Sequence, residues 1–477
     1  MLSVNPGRFL VGIKSFDWRK SARRAIRFIG AHEKILLAIL AIIIVISGGF
    51  WYRQFSHNNS DNPIVGGTYV EGVVADKKEL SQITTRLTKT GLLTFLADGR
   101  LEGQLAEKWT VSDDKSEYRF ILRESIDRDE IISVLKDRSD VIGQADIGAD
   151  LDRDIIVKLA LPNPSFPLLM TRPLFDYGPY KLGRSNDQTT VFTRSTKKNA
   201  VSAYINKIII HSYEDESDFQ KALLGNRLDG AVTTPSADTS ISTTDTLQSL
   251  DGGQSAKLSG RDNPTTLDNT TPKNFQQHEV NLNRYYVVLF NSNKTPFRED
   301  SLRKALVTGT TVQATPFTIV AADQEPYKTL ATSVVAKWQQ QGAKVELSLK
   351  PLLEITGSIG PSRNFQALLI GIDYGLEMDP FYLWHSSQIR ANSNNVTGVN
   401  DPTIDALVEK TRTNLNAIER QKSLDELQNT LTTQGVMMIV KRKSLNYYLS
   451  NDIHYVQPSL PSADADRFLA AALWSVM

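Results

Sequence analysis

The chain has 477 residues, no cysteine and a formal net charge of +1, with 40% hydrophobic and 22% charged residues. That length and balance suit a folded protein of two or three domains rather than a disordered or fibrous one. The absence of cysteine excludes disulfides, thiolate metal sites, cysteine nucleophiles and a lipid carried on an N-terminal cysteine.

The charge is unevenly placed. Residues 1–34 carry Arg8, Lys14, Arg19, Lys20, Arg23, Arg24, Arg27 and Lys34 against only Asp17 and Glu33, so the remainder is mildly acidic. Ile35–Tyr52 follows as an uncharged run of 18 residues, close to the ~20 that cross a bilayer core. The pattern predicts one transmembrane helix over 35–52, with Trp51 and Tyr52 at the far interface and the basic segment 1–34 held in the cytoplasm. The main part would then lie extracellular or periplasmic on a single-pass membrane protein. A cleaved signal peptide competes, since Ser47 and Gly49 are small residues at cleavage spacing, although the run exceeds the roughly 7–15 residues usual for such a segment. Phe16–Ile29 reads either as a basic amphipathic helix on the inner membrane face or as a disordered positive arm. Residues 53–63, ending His57-Asn-Asn-Ser-Asp-Asn-Pro63, form a polar linker.

Gly66-Gly-Thr-Tyr-Val-Glu-Gly-Val-Val74 reads as a strand. Asp98-Gly99 and Asp113-Asp114 mark tight turns, the second before an alternating strand at Tyr118, Phe120 and Leu122. A helix is predicted near Asp127–Lys136 with Asp127 as its N-cap. His211–Asp218 is the densest acidic cluster, and its place between a strand and a helix reads as a solvated loop and cap rather than a hard-cation site. Thr233–Lys273, rich in Ser, Thr, Asp and Gly, is expected to be an exposed, mobile excursion.

Tyr285–Asn291 resumes as an apolar strand, followed by Pro296, Phe297 and a short helix at Leu302–Leu306. Phe317 opens a βαβ unit. Asp323 is the expected cap of a helix with Leu330, Val334 and Trp338 on one face, Gly342 its stop, and Val345, Leu347 and Leu349 an alternating strand. Such a crossover builds parallel sheet. Ala367–Ile372 has the length of a buried strand and ends at Asp373 beside Tyr374, and the carboxyl ends of strands in open sheets are where ligands sit. Ile404, Leu407, Val408 and Thr411, then Leu424, Leu427 and Leu431, fall at helix spacing, and Val436–Val440 reads as a return strand.

The order of these segments resembles extracellular solute-binding family 5, the substrate-binding proteins of peptide and nickel ABC transporters. The resemblance rests on Gly66-Gly-Thr with Glu71-Gly72, on Gly91-Leu-Leu, Asp98-Gly99, Leu105-Ala-Glu-Lys-Trp109 and the Ser112-Asp-Asp turn, on Tyr177-Gly-Pro-Tyr180, and on Asp373-Tyr374 with Asp379-Pro380. The loop after Arg123 and the stretch between Leu306 and Thr315 are shorter than in that family, and the helix at 35–52 would replace its usual lipid tether. The resemblance implies an α/β, two-lobed periplasmic-binding-protein-like fold of the second type. Lobe I would comprise 64–285, returning with 436–477, and lobe II 286–435. It implies capture of a peptide or peptide-like ligand between the lobes and delivery to ABC transporter permease subunits served by a separate ATPase. A monomer that binds no nucleic acid is expected.

The resemblance also makes Asp373 the partner of a ligand's α-ammonium, with a turn cap or a lysine pair as the alternative and Asp379 as a second acceptor. Tyr69, Glu71, Trp109, Tyr374 and Trp384 are candidates to line the cleft, or else core residues. The six histidines His32, His57, His211, His278, His385 and His454 lack metal spacing, and neither a Walker phosphate loop nor a Gly-x-Ser-x-Gly elbow occurs, so no catalysis, cofactor or metal is expected. The rival reading is a membrane-tethered surface protein that keeps the fold for adhesion, sensing or scaffolding.

Overall fold

The computed structural model describes residues 65–74, 77–96, 98–233, 274–313, 315–390, 394–455 and 463–476. The basic segment 1–34, the helix expected at 35–52, the linker 53–63 and residues 234–273 of the polar excursion lie outside the described residues. Among the described residues no helix is long and apolar enough to cross a membrane.

In chain order the first part runs β1 (Gly66–Val73), α1 (Lys77–Thr88), β2 (Leu93–Phe95), β3 (Leu101–Gly103), β4 (Ala106–Val111), β5 (Glu117–Leu122), α2 (Arg128–Asp137), β6 (Ala145–Gly148) and β7 (Asp154–Leu159). Then come β8 (Tyr180–Ser185), β9 (Thr189–Arg194), β10 (Ile205–Ser212), α3 (Glu216–Leu224) and β11 (Gly230–Thr233). The second part runs β12 (Phe275–Phe290), α4 (Asp300–Thr308), β13 (Pro316–Ala322), α5 (Tyr327–Gln340), β14 (Lys344–Lys350), β15 (Ala367–Asp373), α6 (Pro402–Thr413), α7 (Ala417–Thr433) and β16 (Met437–Ser450). A 3-10 run, Asp464–Leu473, and the short pair β17 (Ile453–His454) and β18 (Ser475–Val476) complete the described chain.

Ten strands form one mixed sheet in the order β14-β13-β15-β12-β16-β11-β1-β10-β9-β8, and β4-β5-β7-β6 form a separate four-stranded sheet. The fold is thus mixed α/β, as expected. β12 and β16 are the long antiparallel pair at the middle of the large sheet, with β15 beyond β12 and β11 beyond β16. The return strand expected at 436–440 is the start of β16, which continues to Ser450. Similarly, β12 begins ten residues before Tyr285, in a segment where Val280 and Leu282 are buried among mostly polar residues.

Local signals account for most of the elements. The Asp127 carboxylate accepts the N–H groups of Asp129 and Glu130 at 3.0 and 3.2 Å and so caps α2, a contribution of about 1 kcal/mol. Asp215 caps α3 through Asp218 N–H at 2.9 Å, so the acidic run there is a cap and an exposed turn. β13 and β14 pair in parallel across α5. Val334 and Trp338 are fully buried in its core while Leu330 packs at the margin. Gly342 ends that helix at φ 100°, a left-handed value that a side chain would oppose.

The cap of α5 differs from expectation. Asp323 is not the N-cap: its N–H extends the sheet by donating to Lys350 O at 2.9 Å, and its carboxylate meets Lys328 at 3.1 Å. Pro326 disfavours helical geometry at Glu325, so the helix begins only at Tyr327.

The turn joining β4 to β5 is closed by one carboxylate. Asp114 accepts from Ser112 Oγ at 2.6 Å, from Ser116 Oγ at 2.7 Å and from Ser116 N–H at 3.1 Å. These hydrogen bonds, that from Ser112 first, lower its pKa to about 2. The folded value lies below the unfolded one, so the turn's contribution is complete above the ordinary aspartate range and is lost as pH falls through about 2. Carboxyl-carbon NMR of the folded protein is expected to show Asp114 titrating near the bottom of the aspartate envelope, and Ser112→Ala to bring it back toward ordinary values.

Candidate functional site

The sheet is irregular where β15 ends. Asn281 pairs with Ser444 but Tyr285 pairs with Arg442, so β12 carries two more residues than β16 across this interval. Such a bulge bends the strand and re-aims side chains. Its backbone is held on both sides, by Arg442 Nε donating to Leu282 O at 3.1 Å and by Tyr374 N–H donating to Asn283 O at 3.1 Å. Arg284 leaves the bulge directly opposite Asp373 in the register. Its Nε donates to Asp373 Oδ2 at 2.8 Å, while Asp373 Oδ1 accepts from Gly375 N–H at 2.9 Å. Gly375 takes φ 67°, and a Cβ there would lie 2.9 Å from Glu377 Oε2, so glycine is needed for this turn.

Asp373 and Arg284 line a cavity of about 300 Å³. Its other walls come from α1 (Thr85, Arg86), the segment after α2 (Arg138), the loop at Arg172 and the C-terminal 3-10 run (Asp466). Each arginine has a carboxylate partner. Arg86 Nε donates to Asp466 at 2.6 Å, Arg138 binds Asp140 through two bonds of 2.8 and 3.0 Å, and Arg172 grips Glu377 with two nitrogens. Burial works against the Arg172 charge and the Glu377 carboxylate more than restores it.

These pairs differ in exposure. Asp466 is 0% and Glu377 10% exposed, whereas Asp373 is 43% and Asp140 65% exposed. The first two pairs are framework; the latter two face solvent. A second cavity of about 410 Å³ adjoins the first, sharing Arg86, Pro173 and Leu376 with it. Leu93, Phe95, Leu96, Leu469 and Leu473 give it apolar walls.

The remaining candidates do not line the arginine-rich cavity. Tyr374 and Trp384 are buried together beneath it, with Trp384 Nε1 donating to Tyr374 Oη at 3.0 Å, in the core formed with Leu424, Leu427 and Leu431 of α7. Asp379 faces Arg412 at 3.3 Å and accepts Phe381 N–H at 3.0 Å, starting the helical turn Phe381–Trp384. Trp109 is half-buried on β4 against the core of the four-stranded sheet. Tyr69 and Glu71 are fully buried on β1. Of the seven candidates, the structure therefore puts Asp373 in the cavity wall. Arg86, Arg138, Arg172, Arg284 and Asp466 were not singled out from sequence, and none carries a local motif.

No family model matches the chain, and no curated protein sequence matches it. Solved structures do. HbpA2 from Haemophilus parasuis is 14% identical with a TM-score of 0.64, covering 86% of this chain and 100% of its own. The ABC transporter-associated periplasmic binding protein DppA from Helicobacter pylori, solved in complex with the peptide STSA, is 13% identical with a TM-score of 0.53 and covers 87% of this chain and 98% of its own. NikZ from Campylobacter jejuni, in complex with Ni(L-His), is 14% identical with a TM-score of 0.52, covering 86% and 99%. DppA is named as a binding protein and NikZ is solved with its ligand, and at this level of identity the likeness is one of fold.

The C-terminal wall is fixed from below. Arg467 and Glu71, both fully buried, meet at 2.6 Å, and Arg467 also reaches Glu79 at 3.4 Å. The Tyr69 and Tyr447 hydroxyls donate to the other Glu71 oxygen at 2.6 and 2.8 Å. Burial, then the Glu71 charge, pushes both hydroxyls well above their usual range, so they stay protonated donors. Breaking a buried pair by removing one partner costs about 3–5 kcal/mol. Arg467→Met is accordingly expected to lower unfolding free energy by about that amount, measured by urea denaturation, with Glu71→Gln in the same chain recovering part of the loss.

Proposed function

We propose that this chain, whose described residues have the fold of the family 5 ABC-transporter solute-binding proteins, captures peptides or peptide-like solutes and hands them to a membrane permease served by a separate ATPase. The supporting observation is the cavity at the carboxyl end of β15, where Asp373 lies opposite α1, Arg138, Arg172 and the C-terminal run. Solute sites in open sheets occupy that position, and a few convergent polar groups beside an apolar pocket are the usual makings of such a site. DppA, of the same fold, holds a peptide.

In this reading the first lobe uses 64–285 and 436–477 and the second 286–435. Closure about the β12–β16 pair would trap the solute, since strands shared by two bodies are where a hinge can act. The helix at 35–52 would keep a monomeric receptor at the outer face of the membrane, with its basic N-terminus in the cytoplasm. The resident machinery binds and releases, and no step of bond chemistry is required.

The full-length chain in detergent is expected to bind a mixed tripeptide pool, seen as discrete mass additions in native mass spectrometry and as saturable heat in calorimetry. Thr85→Trp, which sets an indole into the cavity from α1, is expected to weaken binding at least tenfold without lowering the melting temperature by more than a few degrees. Absence of binding throughout the pool would overturn the transport reading; wild-type affinity in Thr85→Trp would overturn the location.

A further inference from the structure

The charge pattern of the cavity departs from what capture of an ammonium group requires. Four arginines line it, and of their four carboxylate partners only Asp373 and Asp466 line it with them, Asp140 and Glu377 lying behind Arg138 and Arg172. Asp466 is tied to Arg86, and Asp373 already accepts from Arg284 and from Gly375 N–H. An arriving ammonium would have to share the Asp373 carboxylate with the Arg284 guanidinium, like charge beside like charge. An arriving carboxylate would not, because a guanidinium offers five N–H donors in a planar fork and can serve two anions at once.

The donors are there. Arg284 uses Nε on Asp373, and its two terminal nitrogens make no hydrogen bond among the described residues. Arg138 uses Nε and Nη2 on Asp140, leaving Nη1. Their partners are the two solvent-facing carboxylates, 43% and 65% exposed, so these pairs are screened and exchange readily. Arg86 and Arg172 stay with the buried acids and hold the shape of the cavity rather than contacting the solute. The apolar cavity sharing Arg86, Pro173 and Leu376 then lies within reach of the side chains of a solute so held.

We propose that the cleft takes its solute by the carboxylate, with Arg284 and Arg138 as the anchoring residues and the neighbouring apolar cavity receiving the adjoining side chains. The inference rests on the solute-capture reading above and inverts the polarity that the resemblance implied for Asp373.

The test uses the full-length chain and one tripeptide mixture of Ala, Leu and Phe prepared as free peptides, as N-acetyl peptides and as C-terminal amides. Binding of the acetyl forms within threefold of the free peptides, with the amides at least tenfold weaker, is the expected result. Tight amides with weak acetyl forms, or equal binding of all three, would overturn the carboxylate anchor while leaving solute capture standing. No binding of any form would overturn both. Arg284→Gln, at a solvent-facing position, is expected to bring the free-to-amide ratio below threefold with an unchanged melting temperature. A ratio that stays at wild type would remove Arg284 from the site, which a purely structural role for its pair with Asp373 would predict.

Discussion

A carboxylate on an interior strand of a large sheet must be neutralised where it stands, and the pairing of Glu71 with Arg467 meets that requirement on β1. β1 lies between β10 and β11, and both Glu71 and Arg467 are shut off from solvent. The desolvation of two such charges is offset only when geometry is good and the remaining lone pairs are filled. Here the Tyr69 and Tyr447 hydroxyls fill those of Glu71, and Glu79 accepts the remaining N–H groups of Arg467. The interaction therefore does more than join two residues: it fixes the 3-10 run from Asp464 to Leu473 against β1 and α1. That run in turn presents Asp466 to one cavity and Leu469 and Leu473 to the other.

The same rule, relaxed by degrees, organises the cavity above it. Proceeding from Arg86–Asp466 through Arg172–Glu377 to Arg284–Asp373 and Arg138–Asp140, the acid becomes progressively more exposed. Coupling weakens along that series as water screens it. A site graded in this way has a rigid floor and an exchangeable rim. The bulge in β12 adds geometry to charge, since it turns Arg284 toward the end of β15 at the point where the two central strands depart from regular pairing.

What could be read from the chain alone follows the range of the interactions involved. Asp127, Gly342 and the β13–α5–β14 unit were legible because their determinants lie within a few residues of each other. Asp373 was legible as a strand-end carboxylate, yet Arg284 was not, because only the register of β12 against β15 makes them neighbours. Tyr374 and Trp384 were ambiguous by nature: an aromatic beside a strand end can face either cleft or core, and α7 decides for the core. Glu71 read as a possible ligand contact because its counter-charge lies 396 residues away in the chain. Asp323 had the composition of a cap, but the proline at 326 sets where the helix can start.

The position of β16 has a consequence for how the chain reaches this state. Gly230 of β11 pairs with Leu449, and β12 pairs with β16 along most of its length. The two flanks of the sheet are therefore joined by a strand that follows them both in the chain, and closing so long a loop must precede any gain from its contacts. Until residues 437–450 insert, β11 and β12 present open edges with unsatisfied N–H and C=O groups, the kind of surface that recruits foreign strands. Both flanks of the sheet thus depend on the last long strand of the chain to cover their inner edges.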